Sequence, residues 1–241
     1  MKILHLIVAR GGSKGIPCKN LCEISGISLV GFKAITAQKS QYCSRLIIST
    51  ESEAIQRNAA HYGVEVPFTR PIELATDTAK TEDVIVHAIE YIERQEKQTY
   101  DAIMLLEPSA PFARPNDLDQ AAIIMKEKNA SMVVGVREVP VASVFLGPMD
   151  SEGRITKIID KMACLEGLRR QDIPQEVTMN GAFYLINWEY FKKYRHRYKD
   201  RLNSYGLIMP WQYSVEIDEP MDLAYTEFLV EKGYVDLSYW R

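Results

Sequence analysis

The chain has 241 residues, 46% of them apolar and 25% charged, the ordinary balance of a soluble globular protein with room for one α/β domain and an extra lobe. Its net charge of −3 gives no overall pull towards nucleic acid or an anionic membrane, so any anion must be held by a local cluster. Cys18, Cys22, Cys43 and Cys164 are too scattered for a disulfide scaffold, and no second Cys/His pair completes a metal site with Cys18 and Cys22. Free thiols in a reducing cytosol are the simpler reading. No stretch is long enough to span a membrane, and the N-terminal apolar run is not the core of a signal peptide. The expectation is a soluble, cytoplasmic protein.

Strand-like and helical runs alternate along the chain. Ile3–Val8 reads as a buried strand, Leu29–Ser40 as a helix, Arg45–Ser49 as a strand, Glu53–Tyr62 as a helix and Val64–Val66 as a short strand. Val84, Ile85, Ala88, Ile89 and Ile92 form a helical stripe within Thr81–Arg94. Ala102–Leu106 reads as a strand, Asn116–Lys126 as a helix capped by Asn116, and Ser131–Val136 as a strand. From Pro140 to about Gln175 the rhythm breaks into what reads as short strands around turns at Gly147–Pro148 and Glu152–Gly153. It resumes with a strand over Ala182–Ile186, a helix over Trp188–Tyr194, a strand over Tyr213–Ile217 and a helix from Pro220 to about Lys232. The alternation implies a mostly parallel sheet with helices on both faces, in one domain (1–241) with an inserted lobe at about 140–175.

Ligands of open α/β sheets bind beyond the carboxyl ends of the strands, and "ARGGSKGIPCKN" (Ala9–Asn20) follows the first strand. Gly11, Gly12 and Gly15 let backbone N–H groups approach a ligand, while Arg10, Lys14 and Lys19 add three cations. The combination suits a polyphosphate. Neither the G-x-x-x-x-G-K-[ST] nor the G-x-G-x-x-G spacing is present. The competing reading is a solvated Gly-rich turn. His5, His61 and His87 have no triad partner and read as packing residues. His196, in the basic stretch "YRHRYKD", suits an exposed helix end better than a nucleic-acid patch.

The same segment resembles the N-terminal nucleotide-binding signature of the acylneuraminate cytidylyltransferases, the CMP-sialic acid synthetases. Further pieces follow in the family's order: "RPIELATDTAKTEDVIVHAIE" (Arg70–Glu90), "LLEPSAPFAR" (Leu105–Arg114), "MNGAFY" (Met179–Tyr184) and "VEIDEPMDL" (Val215–Leu223). The resemblance implies a Rossmann-like nucleotidyltransferase fold with a dimerising insertion. It also implies the reaction of CTP with a nonulosonic acid to give a CMP-sugar and pyrophosphate. Related alternatives are another NTP or acceptor (a Kdo-like sugar or a sugar 1-phosphate), or a nucleotide-binding domain without catalysis.

On this basis Arg10, Lys14, Lys19 and Asp218 carry the chemistry. Ala9, Gly11, Gly12 and Ser13 line the phosphates with Arg10 and Lys19, Asn20 meets the ribose, and Arg70, Ala75 and Asp77 lie by the base. Asn180 and Glu107 face the sugar. Arg169 and Arg170 either hold the sugar's carboxylate or form a solvated turn. Mg²⁺ takes hard oxygen ligands. Glu216 and Asp218, two apart, would share a face if that segment is a strand. Glu216 stands where the family more often has aspartate. Asp222 fits either the site or the next helix's N-terminus. Glu107 stands where the family usually has glutamine, and Ser109–Ala110 replaces its Thr-Ser pair. An ionised glutamate has no donor. The departure implies a modified nonulosonic acid, such as legionaminic or pseudaminic acid, or another sugar, as acceptor. The partners implied are CTP, a carboxylate-bearing sugar and a second copy of the chain.

Overall fold

A computed structural model of the chain describes residues 1–140, 142–164 and 174–241. Its main sheet has six strands: β1 (Ile3–Val8), β4 (Cys43–Ser49), β5 (Ala102–Leu106), β6 (Met132–Glu138), β7 (Val177–Asn187) and β8 (Ser204–Ile208). The strand order is β4-β1-β5-β7-β6-β8. Five strands run parallel, and β7 is antiparallel to both its neighbours. A two-stranded hairpin, β2 (Glu23–Ile24) and β3 (Ile27–Ser28), precedes the first helix.

Strands buried on both faces need apolar residues at every position. Along β5, Ala102, Met104 and Leu106 pack into one hydrophobic cluster, while Ile103 and Leu105 pack into the other. The first cluster is closed by α1 (Leu29–Lys39), α2 (Glu53–His61), α4 (Pro115–Lys128), α7 (Pro220–Glu231) and the C-terminal Trp240. The second is closed by α3 (Thr81–Gln95) and α6 (Trp188–Tyr194). Both faces are covered, as the sequence implies. Ser28 caps α1 by accepting from Gly31 N at 2.9 Å, which satisfies one orphan donor of the first turn. His5 lies wholly inside, and burial lowers its pKa to about 4, so it packs as a neutral ring.

Four elements differ from the sequence reading. The helix after Pro115 starts one residue earlier than expected, and its N-cap is Arg114, not Asn116. Asp117 Oδ2 accepts from Arg114 N at 2.8 Å in a capping box. Residues 142–164 hold a 3₁₀ turn (Ser143–Phe145) and a helix, α5 (Thr156–Ala163), rather than short strands. Only Glu65 of Val64–Val66 pairs with the sheet, in a single bridge to Ile47. Tyr213–Ile217 is not a strand. A 3₁₀ turn (Trp211–Tyr213) leads into chain over 214–219 that belongs to no strand, and the sixth strand is β8 instead. This removes the argument that alternation puts Glu216 and Asp218 on one strand face.

Lys33 of α1 has no exposed surface, and its Nζ donates to Ala182 O at 2.7 Å. Burial lowers its pKa from 10.5 to about 7, with Glu107 and Asp117 opposing the shift. The unfolded chain keeps this proton up to about pH 10.5, whereas the folded chain gives it up near 7. The cost to stability is therefore full below about pH 7 and shrinks as pH rises towards 10.5. The shift corresponds to about 5 kcal/mol. Methionine at this position would leave the Ala182 carbonyl unpaired, which costs about 1–3 kcal/mol. Lys33→Met is thus expected to raise the melting temperature at pH 7, by about 2–4 °C per kcal/mol gained, and to flatten the rise of stability from pH 7 to 10. Thermal melts of both proteins across that range check this.

Candidate active site

A cleft of about 300 Å³ opens at the carboxyl ends of β1 and β5, where an α/β sheet places its ligand. Arg10, Gly12, Ser13, Lys19 and Asn20 line it from the loop after β1. Arg70, Leu74, Thr76 and Asp77 line it from the segment before α3, and Glu107, Pro108 and Ser109 from the loop after β5. Arg10, Gly12, Ser13, Lys19, Asn20, Arg70, Asp77 and Glu107, all singled out in the sequence, therefore meet in one place from segments about 100 positions apart.

The loop after β1 is held at several points. Ala9 is buried, and its N–H donates to Ser49 O at 3.2 Å. Asn20 Nδ2 donates to Arg10 O at 2.9 Å, folding the loop back on itself. Gly11 N donates to Glu51 Oε1 at 2.6 Å, so this amide already has an anionic acceptor. Lys19 Nζ donates to Ile217 O and to Asp218 Oδ1, both at 2.8 Å. A Cβ on Gly15 would stand 2.2 Å from Asp218 O, so only glycine allows the loop to touch that backbone. Ile217 N in turn donates to Ser109 O at 2.7 Å. These contacts bring Glu216 and Asp218 beside the phosphate loop and the β5 loop without any strand pairing.

Charges are paired across the mouth. Arg10 Nη1 lies 2.7 Å from Asp77 Oδ1, and Lys14 Nζ lies 3.0 Å from Asp77 Oδ2. Hydrogen bonds from Lys14 and then Arg10 hold the Asp77 carboxyl below its ordinary range. Asp77 thus bridges two of the phosphate-loop cations while lining the same cleft as Arg70 and Leu74. Arg70 is buried: Nε donates to Ser49 Oγ at 3.0 Å, and Nη2 bonds Ser49 O. Burial lowers its pKa to about 10, with Glu51 opposing and Arg10 adding to the shift.

Glu107 is half-buried, and burial raises its pKa, with Arg197 opposing and Glu216 adding. Burial and Asp218 likewise raise Glu216. The ladder between β6 and β7 shifts between Val134 and Val136, opposite a bulge that sets Gly181 at φ +65°. A Cβ there would meet Glu216 Oε1 at 2.9 Å. Bulges of this kind re-aim chain at sites. Asp222 Oδ2 accepts from Asp218 N at 3.0 Å and from Glu219 N at 2.8 Å, and these bonds lower its pKa. That is a helix cap, the second of the two readings of Asp222.

Some expected residues stand elsewhere. Asn180 is buried, with Nδ2 donating to Ser214 Oγ at 3.0 Å and Oδ1 accepting from Ala182 N at 3.1 Å. It ties the bulge to the 214–219 segment and is not among the cleft-lining residues. Gly11, Lys14, Ala75, Glu216 and Asp218 flank the cleft rather than line it. Arg169 and Arg170 lie outside the described residues. Sequence reasoning missed Glu51, although it follows the carboxyl end of β4 at the same sheet edge. It also missed Lys33, a lone charge in an otherwise apolar stretch of α1, and Arg197, whose Nε donates to Glu82 Oε1 at 3.0 Å.

The model of the cytidylyltransferase family matches residues 4–229. The chain belongs to the cytidylyltransferase family. It is a nucleotidyltransferase, as the N-terminal loop and the cleft imply. Among its relatives, the CMP-N,N'-diacetyllegionaminic acid synthase of Legionella pneumophila is 30% identical over 96% of this chain and 97% of its own length. The pseudaminic acid cytidylyltransferase of Campylobacter jejuni is 27% identical over 97% and 98%. In fold, this cytidylyltransferase is similar to a CMP:2-keto-3-deoxy-manno-octonic acid synthetase solved with CTP, with a TM-score of 0.68 at 14% identity over 97% of this chain and all of that one.

Proposed function

We propose that this cytidylyltransferase transfers CMP from CTP to a nonulosonic acid. A sugar hydroxyl oxygen attacks the α-phosphorus, the bond from that phosphorus to the bridging oxygen breaks, pyrophosphate leaves, and the hydroxyl proton is released. The observation that carries the reading is the cleft: Arg10, Lys19, Asn20 and Arg70 meet Glu107 at the sheet's carboxyl edge. The relatives named for legionaminic and pseudaminic acids support the acceptor class.

Each group has work that its geometry supports. Arg10 and Lys14 would turn from Asp77, an exposed carboxylate, to the β- and γ-phosphates. Charge development on the leaving pyrophosphate favours such fixed cations. Lys19, with its side chain 14% exposed, sits on the inner side of the loop, where displacement of water strengthens its field. Asn20 and Arg70 are rigid wall groups for the nucleoside. Glu107 faces the acceptor, and Asn180 shapes the loop that carries Glu216.

Asp218 and Glu216 are hard oxygen donors, the chemistry magnesium requires, and Asp218 Oδ2, beside the phosphate loop, has no hydrogen-bond partner among the described residues. They fit a metal completed by phosphate oxygens, although no group of three such ligands stands together among the described residues. When bound, magnesium would supply charge neutralisation across the phosphates.

The second copy of the chain is part of the same proposal. Ile155, Ile159 and Met162 form an exposed stripe along α5, with Leu146 and Met149 beside them. Exposed apolar patches of this kind mark interfaces. Light scattering at micromolar concentration is expected to give twice the 27.5 kDa chain mass, and a single-chain mass would contradict it. No helix among the described residues is long and apolar enough to cross a membrane. We assign the reaction to the cytoplasm, where CTP is made available.

Incubation with each of the four NTPs and magnesium, with and without nonulosonic acids, tests the function through pyrophosphate. Release that needs both CTP and the sugar is expected. Equal release with another NTP, or with CTP alone, would contradict it.

A further inference from the structure

Glu107 is the first residue beyond β5, and the loop that carries it is firmly held. Ala110 N donates to Glu107 O at 3.2 Å, Ile217 N donates to Ser109 O, and Ala110, Phe112 and Ala113 have no exposed surface. The side chain nevertheless lines the cleft with no hydrogen bond or ion pair among the described residues. The cations whose fields reach it are engaged elsewhere. Lys33 Nζ donates to Ala182 O at 2.7 Å. Arg197 Nε donates to Glu82 Oε1 at 3.0 Å, and its guanidinium lies 4.6 Å from the centre of the Tyr184 ring. Glu82 and Glu216 add fields of the same sign as Glu107.

We infer that the acceptor carries a basic nitrogen, an amine or an amidine, where it faces Glu107, and that this unpartnered carboxylate selects it. The inference rests on the nonulosonate reading above and narrows it. A half-buried carboxylate without a partner is costly. A cationic N–H donor from the ligand offsets that cost with a charge-assisted bond. A carboxylate accepts only, so an acyl carbonyl turned towards it finds no donor and meets like polarity. The acceptor's own carboxylate must lie away from Glu107 for the same reason.

The test compares matched nonulosonic acids that differ only in carrying an acetamido, a free amino or an acetamidino group at one position. kcat/KM is read from pyrophosphate release with CTP. The wild-type enzyme should prefer the basic member of at least one pair. Glu107→Gln should lower that preference by about 10²-fold, the scale for losing one partner of a desolvated charge pair. Glu107→Asp, which keeps the charge, should retain the order. An N-acyl preference in the wild type overturns the inference. So does an order unchanged in Glu107→Gln, or a change confined to the KM for CTP. If no nonulosonic acid of either kind supports release, the nonulosonate reading falls, and this inference falls with it.

Discussion

Replacing Lys19 with alanine is expected to lower turnover by about 10²–10³-fold, the usual effect of removing one preorganised donor from a charge-developing site. The effect on folding should be much smaller. Among the described residues, the ammonium bonds to Ile217 O and the exposed carboxylate of Asp218, and exposed ion pairs contribute about 0–1 kcal/mol. The loop keeps its other ties through Asn20 to Arg10 O, Gly11 to Glu51 and Ala9 to Ser49 O. Rate and melting temperature measured on the same preparation separate the two. An unchanged rate with intact folding would remove Lys19 from the mechanism.

Asp218→Asn should abolish magnesium-dependent activity. Asparagine keeps the shape and can still accept from Lys19 Nζ, but it loses the charge that holds a hard cation. Glu216→Asp should be tolerated or even improve the rate. The shorter carboxylate withdraws from Gly181, against which Glu216 Oε1 is packed, and restores the ligand more usual at this position in the family that the sequence resembles. Initial rates across a magnesium series check both. Full activity of Asp218→Asn at low magnesium would place the metal elsewhere.

Much of the fold is legible because strand and helix patterns are local. Ile3–Val8 is apolar throughout, as a strand covered on both faces must be, and the loop after it is marked by glycine and lysine. Failures came where tertiary contacts decide. "YSVEI" (Tyr213–Ile217) alternates like a strand, yet its backbone bonds go to the β5 loop through Ile217 N and to Lys19 through Ile217 O. β8 has mixed polarity because it lies at the sheet's edge, beside β6 alone. "TKIIDKMA" is only eight residues long, too short to set a helical period apart from strand-like alternation, and none of its residues is fully buried among the described residues. In the site, Arg10, Lys19, Arg70 and Glu107 could be grouped by motif. The Asp77 bridge, the Glu51 clamp and buried Lys33 could not, since each depends on where distant segments meet.

The central claim is transfer of the α-phosphoryl group from CTP to a sugar hydroxyl. It is tested most directly by running the reaction with CTP labelled at the α- or the γ-phosphate and following the label by chromatography and mass. The α-label should appear in a CMP-sugar, and the γ-label in pyrophosphate, in equal amounts. Recovery of the γ-label on the sugar, or of the α-label only in free CMP, would contradict the account.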